Sequence, residues 1–205
     1  MQKVSIEEET SDDPSMAGMK KITTSSFSIS AEENENVVEI DSDSYKSTIN
    51  LEIKVPLNFD LDIGTVNNGD IVVENVDGSL EVTNVNGHIT LTGVSGSVVT
   101  NTVNGEVIVS MNRIDADTPM SFASFNGNVD VTLPSSVKAT TKMKSTSGDI
   151  YTDFDVEFET VKSKVDESDE DGVYKVSIDE YVAAKLNGGG PEFGFQTFSG
   201  DIYLR

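Results

Sequence analysis

The residues that could do chemistry are few, and they fall in a pattern. The single histidine, His88, follows a glycine, and Asp70, Glu106, Asn128, Asp149 and Asp201 take the same place after other glycines. Four stacked acids, Asp70, Glu106, Asp149 and Asp201, could bind a cation or, paired in a groove, hydrolyse a glycoside as acid and base. A base or ligand role for His88 would need convergent groups of tuned pKa; its place after a turn glycine reads instead as a polar, outward turn residue. The absence of cysteine excludes a thiol nucleophile, and a single histidine beside it nearly excludes a zinc site or a serine–histidine triad. The glycines are isolated and followed by β-formers, not by a lysine and a helix, so no phosphate-binding loop is built. Asp166–Gly172 is acidic but lacks the ligand spacing and closing glutamate of a calcium loop, and reads as a solvated hairpin tip. The sequence therefore assigns no catalytic residue, no cofactor and no metal. The four acids stand as solvated corner charges and weak candidates for surface contact.

What positions these residues is an internal repeat. Gly69, Gly78, Gly87, Gly96 and Gly105 recur every nine residues. An aliphatic follows each two positions later (Ile71, Leu80, Ile89, Val98, Val107), and Val76, Val85, Val94 and Val103 precede the last four by two. The motifs fall into two interleaved classes. Asn-Gly or Ser-Gly opens the stronger class, at Gly69, Gly87, Gly105, Gly127, Gly148 and Gly200; Gly78 and Gly96 lie halfway between its members. One coil therefore takes 18 residues, with two short strands and a turn on each side. The glycines read as structural turn positions, where Asn-Gly or Asp-Gly supplies residues able to take φ > 0. A meander of hairpins is the competing arrangement; the alternate grading of the motifs favours the coil.

In a coil, like positions stack. The inward column is expected to hold Ile71, Ile89, Val107, Val129, Ile150 and Ile202, with Val73, Leu91, Val109, Val131 and Leu204 two residues on. Leu80, Val98, Val82 and Thr100 should line the other wall. Asn86, Asn104 and Asn126 could form an amide ladder at a corner. After Gly105 the interval lengthens to 22 residues at Gly127 and 21 at Gly148. Asp115–Pro119 and Pro134–Ser136 are expected as corner loops, and Phe122 and Phe125 replace valines, so the later coils should be wider.

Around the repeat the chain reads as strands. Residues 1–19 form an acidic, flexible N-terminus. Ile22, Phe27 and Ile29 lead across Glu32–Asn36 to Val37–Ile40 as a hairpin. Ile49–Val55 alternates cleanly and ends at Pro56; Phe59–Ile63 alternates again. Thr140–Lys144, Phe154–Phe158 and Tyr174–Ile178 are further strands. Asp179–Leu186 fits a short capped helix or a strand, and Gly188–Pro191 breaks the chain before Phe193–Arg205. The organisation is one domain over 20–205: N-terminal strands to 63, regular coils 64–153, then a hairpin insertion and closing strands 154–205. Open coil ends expose strand edges, so 20–63 and 174–205 are expected to act as caps.

Charge and length narrow the partners. Thirty-six acidic against 14 basic residues give a net charge of -22 in 205 residues. A field of that sign repels phosphate backbones and anionic lipid, which disfavours nucleic acid and polybasic-type membrane binding. No segment approaches the roughly 20 apolar residues that span a bilayer, and residues 1–10 lack the apolar core of a signal peptide.

The run Leu51–Pro56, then Phe59–Ile63, then Asn68-Gly69-Asp70-Ile71 resembles the opening of a large bacterial family of β-strand-repeat proteins known as putative adhesins. The repeated Ser-Gly-Asp-Ile at 147–150 and 199–202, and Gly188–Gly190 before the last strand, are similar to that family too. The likeness covers residues 20–205. It implies an all-β, single-stranded β-helix-like solenoid with about 18–22 residues per coil, capped by additional antiparallel strands. It also implies an extracellular, cell-surface or periplasmic location and a largely unassigned role, and turns 181–186 into a strand. The expected function is a non-enzymatic surface scaffold binding an unknown protein or glycan, as a monomer or weak homo-oligomer. A polysaccharide-active enzyme using paired carboxylates, or an envelope-stress regulatory scaffold, is the alternative.

Overall fold

The computed structural model describes residues 29–42, 49–67, 69–115, 118–156, 158–162, 166–170, 173–177 and 180–205. The expected flexible stretch 1–19, the first strand residues to 28, Asn68 and part of the 115–119 loop lie outside the described residues. The chain divides into two compact units, Met1–Ile53 and Lys54–Arg205.

In the first unit, β1 (Ile29–Asn34) and β2 (Val37–Ser42) pair antiparallel, the hairpin expected from the sequence. Glu35 and Asn36 turn it with φ of 50° and 67°, the left-handed pair that a two-residue turn matching strand twist requires. The expected strand Ile49–Val55 does not form: residues 49–56 are irregular, and Leu51 and Ile53 are exposed. Alternation alone does not make a strand without a neighbouring edge to pair with.

The second unit is all β. Its strands are β3 (Leu61–Thr65), β4 (Ile71–Glu74), β5 (Asp77–Asn86), β6 (Ile89–Asn104), β7 (Val107–Ile114), β8 (Met120–Asn126), β9 (Val129–Thr132), β10 (Ala139–Ser147) and β11 (Ile150–Thr152), then β12 (Phe158–Lys162), β13 (Asp166–Glu170), β14 (Val173–Ser177), β15 (Glu180–Leu186), β16 (Glu192–Ser199) and β17 (Ile202–Leu204). Every ladder among β3 to β9 is parallel, which excludes the meander. Ile71 faces Ile89 and Ile89 faces Val107, 18 residues apart, and Val107 faces Val129, 22 apart. This is a β-solenoid-like stack, each rung hydrogen-bonded to the equivalent stretch one coil away. Residues 180–186 are a strand, not a helix, antiparallel to both β10 and β12. The acidic run 166–170 is itself strand β13, paired with β14, and so forms an arm of the hairpin as well as approaching its tip.

The alternation places the core. Ile71, Ile89, Val107, Val129 and Ile202 are buried, as are Val73, Leu91, Val109, Val131 and Leu204; on the other wall, Leu80, Val82, Val98 and Thr100 are buried. Ile150 is only half-buried, because β11 ends that wall. Of the valines two before each glycine, Val76 and Val94 point in while Val85 and Val103 point out. They precede different corners. Phe122 enters the core opposite Thr100 and stacks on Phe195 at 5.2 Å. Phe125 does not: it takes the outward Val103 position and stays exposed.

The order of rungs departs from expectation. β16 and β17 do not close the stack after β10 and β11; they lie between β8–β9 and β10–β11, parallel to both sides. The column therefore runs Val129–Ile202–Ile150. The last strand on that side is β12, next to β15, so capping by the 192–204 strands is not what forms.

Candidate functional site

Each rung turns at a corner where three columns run side by side. The first is glycine. A Cβ on Gly105 would lie 2.5 Å from the carbonyl carbon of Gly87 and closer still to its oxygen; on Gly127, Gly200 and Gly148 it would meet the carbonyl carbons of Gly105, Gly127 and Gly200 at 2.6, 2.6 and 2.7 Å. Backbone runs over backbone here, and any side chain would force the rungs apart. At Gly78, Gly105 and Gly148, which do not have positive φ, close approach and not turn conformation demands glycine; Gly87, Gly96, Gly127 and Gly200 combine close approach with positive φ, and a Cβ on Gly69 would meet nothing nearer than 3.7 Å. Gly78 and Gly96 play the same part on the other corner, against Phe59 and Gly78.

The second column seals those carbonyls from inside. Asn84 Nδ2 donates to Gly69 O (2.6 Å), Thr102 Oγ1 to Gly87 O (3.1 Å), Ser124 Oγ to Gly105 O (2.8 Å), Thr197 Oγ1 to Gly127 O (2.9 Å) and Ser145 Oγ to Gly200 O (2.8 Å). A buried carbonyl without a partner is costly, and these residues supply one at every rung. Sequence reading missed them. Their signal is a hydrogen-bonding residue three before Gly87, Gly105, Gly127, Gly148 and Gly200.

The third column is outward and contains the candidate acids. Asp70 Oδ1 accepts from His88 N (2.8 Å), His88 Nδ1 from Glu106 N (3.0 Å), Asn128 Oδ1 from Asp201 N (2.9 Å), and Asp201 Oδ1 from Asp149 N (2.9 Å). Glu106 Oε1 accepts from Asn128 Nδ2 at 3.1 Å. Asp70, His88, Asn128 and Asp201 thus cap the backbone amide of the next rung, while Glu106 holds the Asn128 side chain. Beside them the amide ladder expected of the asparagines is present: Asn104 donates to Asn86 and Asn126 to Asn104, both at 2.9 Å.

Asp70 and Glu106 are separated by His88, but Asp201 and Asp149 stand on adjacent rungs. Two residues further on, Tyr203 and Tyr151 stack outward with ring centres 5.2 Å apart. Tyr203 donates its hydroxyl to Asp201 Oδ2 at 3.1 Å and Tyr151 to Asp149 Oδ2 at 3.4 Å. The hydrogen bond to Asp201 raises the Tyr203 pKa; the negative charge of Asp149 does the same for Tyr151. Arg205 lies 5.4 Å from the centre of the Tyr203 ring and pairs with Asp130 at 3.0 Å. Tyr151, Tyr203 and Arg205 border one shallow depression. The sequence signal was the identical Ser-Gly-Asp-Ile-Tyr at 147–151 and 199–203, whose tyrosine extends the motif by one. Among the described residues, no group of three or more His, Cys, Asp or Glu side chains is placed to hold a metal ion, and no helix is long and apolar enough to cross a membrane.

Residues 21–181 match the family described as Toastrack DUF4097. The chain belongs to the Toastrack DUF4097 family. A putative cell adhesion protein from Clostridium sporogenes ATCC 15579, known by crystal structure, is similar over 87% of this chain and 75% of its own, at 11% identity and a TM-score of 0.47. No curated protein matches the chain. The β-strand-repeat likeness read from the sequence takes the form of membership in the Toastrack family, and the adhesive role that likeness implied is a matter of proposal.

Proposed function

We propose that this Toastrack chain is a non-enzymatic, exported or surface β-solenoid, single-stranded with 18–22 residues per coil, that binds a glycan or protein on an outward wall. The observation that carries the reading is the Tyr151–Tyr203 stack, set outward on adjacent rungs with Asp149 and Asp201 beside it. An aromatic face takes up the C–H face of a sugar or an apolar side chain, while the carboxylates accept hydrogen bonds from hydroxyls or basic groups. Parallel rungs repeat this chemistry at about 4.8 Å, an interval set by backbone hydrogen bonds and hence rigid before any ligand arrives.

The test is binding of the purified chain to glycan arrays, extracellular matrix and cell-envelope fractions, beside Tyr151→Ala/Tyr203→Ala. Retention on one class of ligand, weakened about tenfold or more by the double substitution, is the expected result; each aromatic contact is worth roughly 1 kcal/mol. No retention anywhere, or retention indifferent to the substitution, would sink the reading. Adjacent carboxylates also favour a second reading, a retaining glycosidase, whose acids stand about 5 Å apart. Polysaccharide turnover lost in Asp149→Asn and Asp201→Asn would replace the scaffold with that enzyme.

A further inference from the structure

The rung formed by β16 and β17 is wedged between two rungs that already match each other. Met120 stands opposite Phe193, and Phe193 opposite Thr141. The flanking rungs are thus offset by 21 residues, the interval that also separates Gly127 from Gly148, and other neighbouring coils are offset by 18, 19 or 22. Were residues 192–204 to leave, the flanking rungs could close on each other with every inward position in register.

The contacts on the two seams are duplicates. Thr197 Oγ1 donates to Gly127 O and Ser145 Oγ to Gly200 O; Asn128 Oδ1 accepts from Asp201 N and Asp201 Oδ1 from Asp149 N. After closure, Ser145 would serve Gly127, and Asn128 would accept from Asp149. The stack without this rung has the same devices as the stack with it. The departed segment is in a different position. It would carry Phe193, Phe195, Ile202 and Leu204, each 1% exposed or less in the fold, into water along with two unpaired strand edges. It needs a slot of matching register, and a second copy of this chain supplies one.

The connection suits such a move. β15 and β16 lie on opposite sides of β10, so residues 187–191 pass over its end. Gly188 and Gly189 hold φ of 93° and 86° there, and a Cβ on Gly188 would meet nothing within 4 Å. The joint is Gly188, open to solvent, between Asn187, which stays fixed by donating to Ser135 O and Val137 O at 3.0 and 2.7 Å, and Gly190, which packs on Lys138 O and must lift away as the rung departs.

We propose that residues 192–204 are an exchangeable rung, and that two copies of this chain swap them, each filling the slot between β8–β9 and β10–β11 of the other. The partner surface is then the slot itself, and exchange is reciprocal, closing a symmetric dimer.

The chain contains no cysteine, so an introduced pair reports its own geometry. Ala123 and Gln196 are opposite each other on β8 and β16, outward, about 4.8 Å apart and within disulfide reach. Full-length Ala123→Cys/Gln196→Cys is unfolded, refolded at micromolar and near-millimolar concentration, oxidised, and separated by size and on non-reducing gels. The expected result is a dimer whose disulfides join two chains, with the dimer-to-monomer ratio rising about tenfold per tenfold in concentration while dimer is the minor species. Disulfides within one chain at every concentration, including within any dimer that forms, would overturn the proposal. The unmodified chain gives the same answer without thiols: light scattering after concentrated refolding should find the dimer, and monomer throughout would overturn the exchange.

Discussion

Replacing one glycine with alanine separates the two explanations for the corner ladder, close approach and turn conformation. At Gly105 a Cβ would lie 2.5 Å from the Gly87 carbonyl carbon, well under the 3.0 Å below which real Cβ atoms are essentially never found, yet its φ is not positive. At Gly188 the reverse holds: φ is 93° and nothing lies within 4 Å. Gly194 has neither problem, its nearest neighbours being Met120 O and Ser121 Oγ at 3.9 Å. For Gly105→Ala the rungs must part at the corner. That strains the hydrogen bonds Gly87 N to Asn104 O (2.9 Å) and Gly105 N to Asn126 O (3.0 Å), and the Thr102 bond to Gly87 O. At about 1 kcal/mol for each bond weakened, with a further 1–3 kcal/mol for overpacking, the loss is about 3 kcal/mol or more. For Gly188→Ala only the backbone conformation counts, about 1 kcal/mol. Gly194→Ala should be neutral or stabilise by about 0.5 kcal/mol through the unfolded chain. Urea unfolding of the three variants with a common slope measures this directly, and in melting the first should fall about 6–12 °C. If Gly105→Ala lies within 1 kcal/mol of Gly194→Ala, backbone contact is not what demands glycine. If Gly188→Ala is the worst of the three, turn conformation is.

The sealing hydroxyls give a second contrast: Thr102→Val removes the donor to Gly87 O and should cost about 1–3 kcal/mol in urea unfolding, whereas Thr100, buried with an unpartnered hydroxyl, should tolerate valine without loss or gain stability. In ultraviolet titration, Tyr203 and Tyr151 should ionise above the ordinary tyrosine range, because Asp201 and Asp149 favour the neutral phenol. Since raising an acid's folded pKa stabilises the fold below the unfolded value and withdraws that stability as pH climbs through the folded one, any contribution is full at neutral pH and is lost only in alkali. Asp201→Asn should bring Tyr203 back down; an unmoved titration would show that the hydrogen bond is not the cause. Removing the outward ring of Phe125, stacked on Phe198 at 4.7 Å, should cost no more than about 1.5 kcal/mol, against 3–5 kcal/mol for Phe122→Ala in the core. Equal losses would contradict the inward and outward assignment.

The wall of the stack was legible because a coil imposes like on like. Ile71 and Leu80 could be assigned to the interior from a nine-residue interval and a period of two, without knowledge of any partner strand. The corner residues were legible in position but not in cause. Asn-Gly signals a turn in any β-protein, and only the stacked carbonyls reveal that glycine at 105 is demanded by its neighbour at 87. The hydroxyl column at Thr102, Ser124 and Thr197 was not legible, since nothing local tells an inward threonine from an outward one. Phe125 misled for the same reason: it replaces Val103, and both valine classes look alike until alternate corners are told apart.

The rung order was illegible on different grounds. Placing 139–152 directly upon 118–133, or admitting 192–204 between them, satisfies the same registers, the same corner bonds and the same aliphatic column. A repeat specifies what may stack and leaves open which copy stacks on which. What decides is added burial: the inserted rung covers Phe193 and Phe195 and places Phe195 against Phe122. Each fully buried phenylalanine contributes about 1.5–3 kcal/mol, and the direct stack would leave both uncovered. Lys142 with Glu192, and Arg205 with Asp130, then pair the inserted rung to both its neighbours. Such exposed pairs add little to stability. The aromatic pair, not the charges, is therefore what holds residues 192–204 in place, and the same pair would drive them into the slot of a second copy.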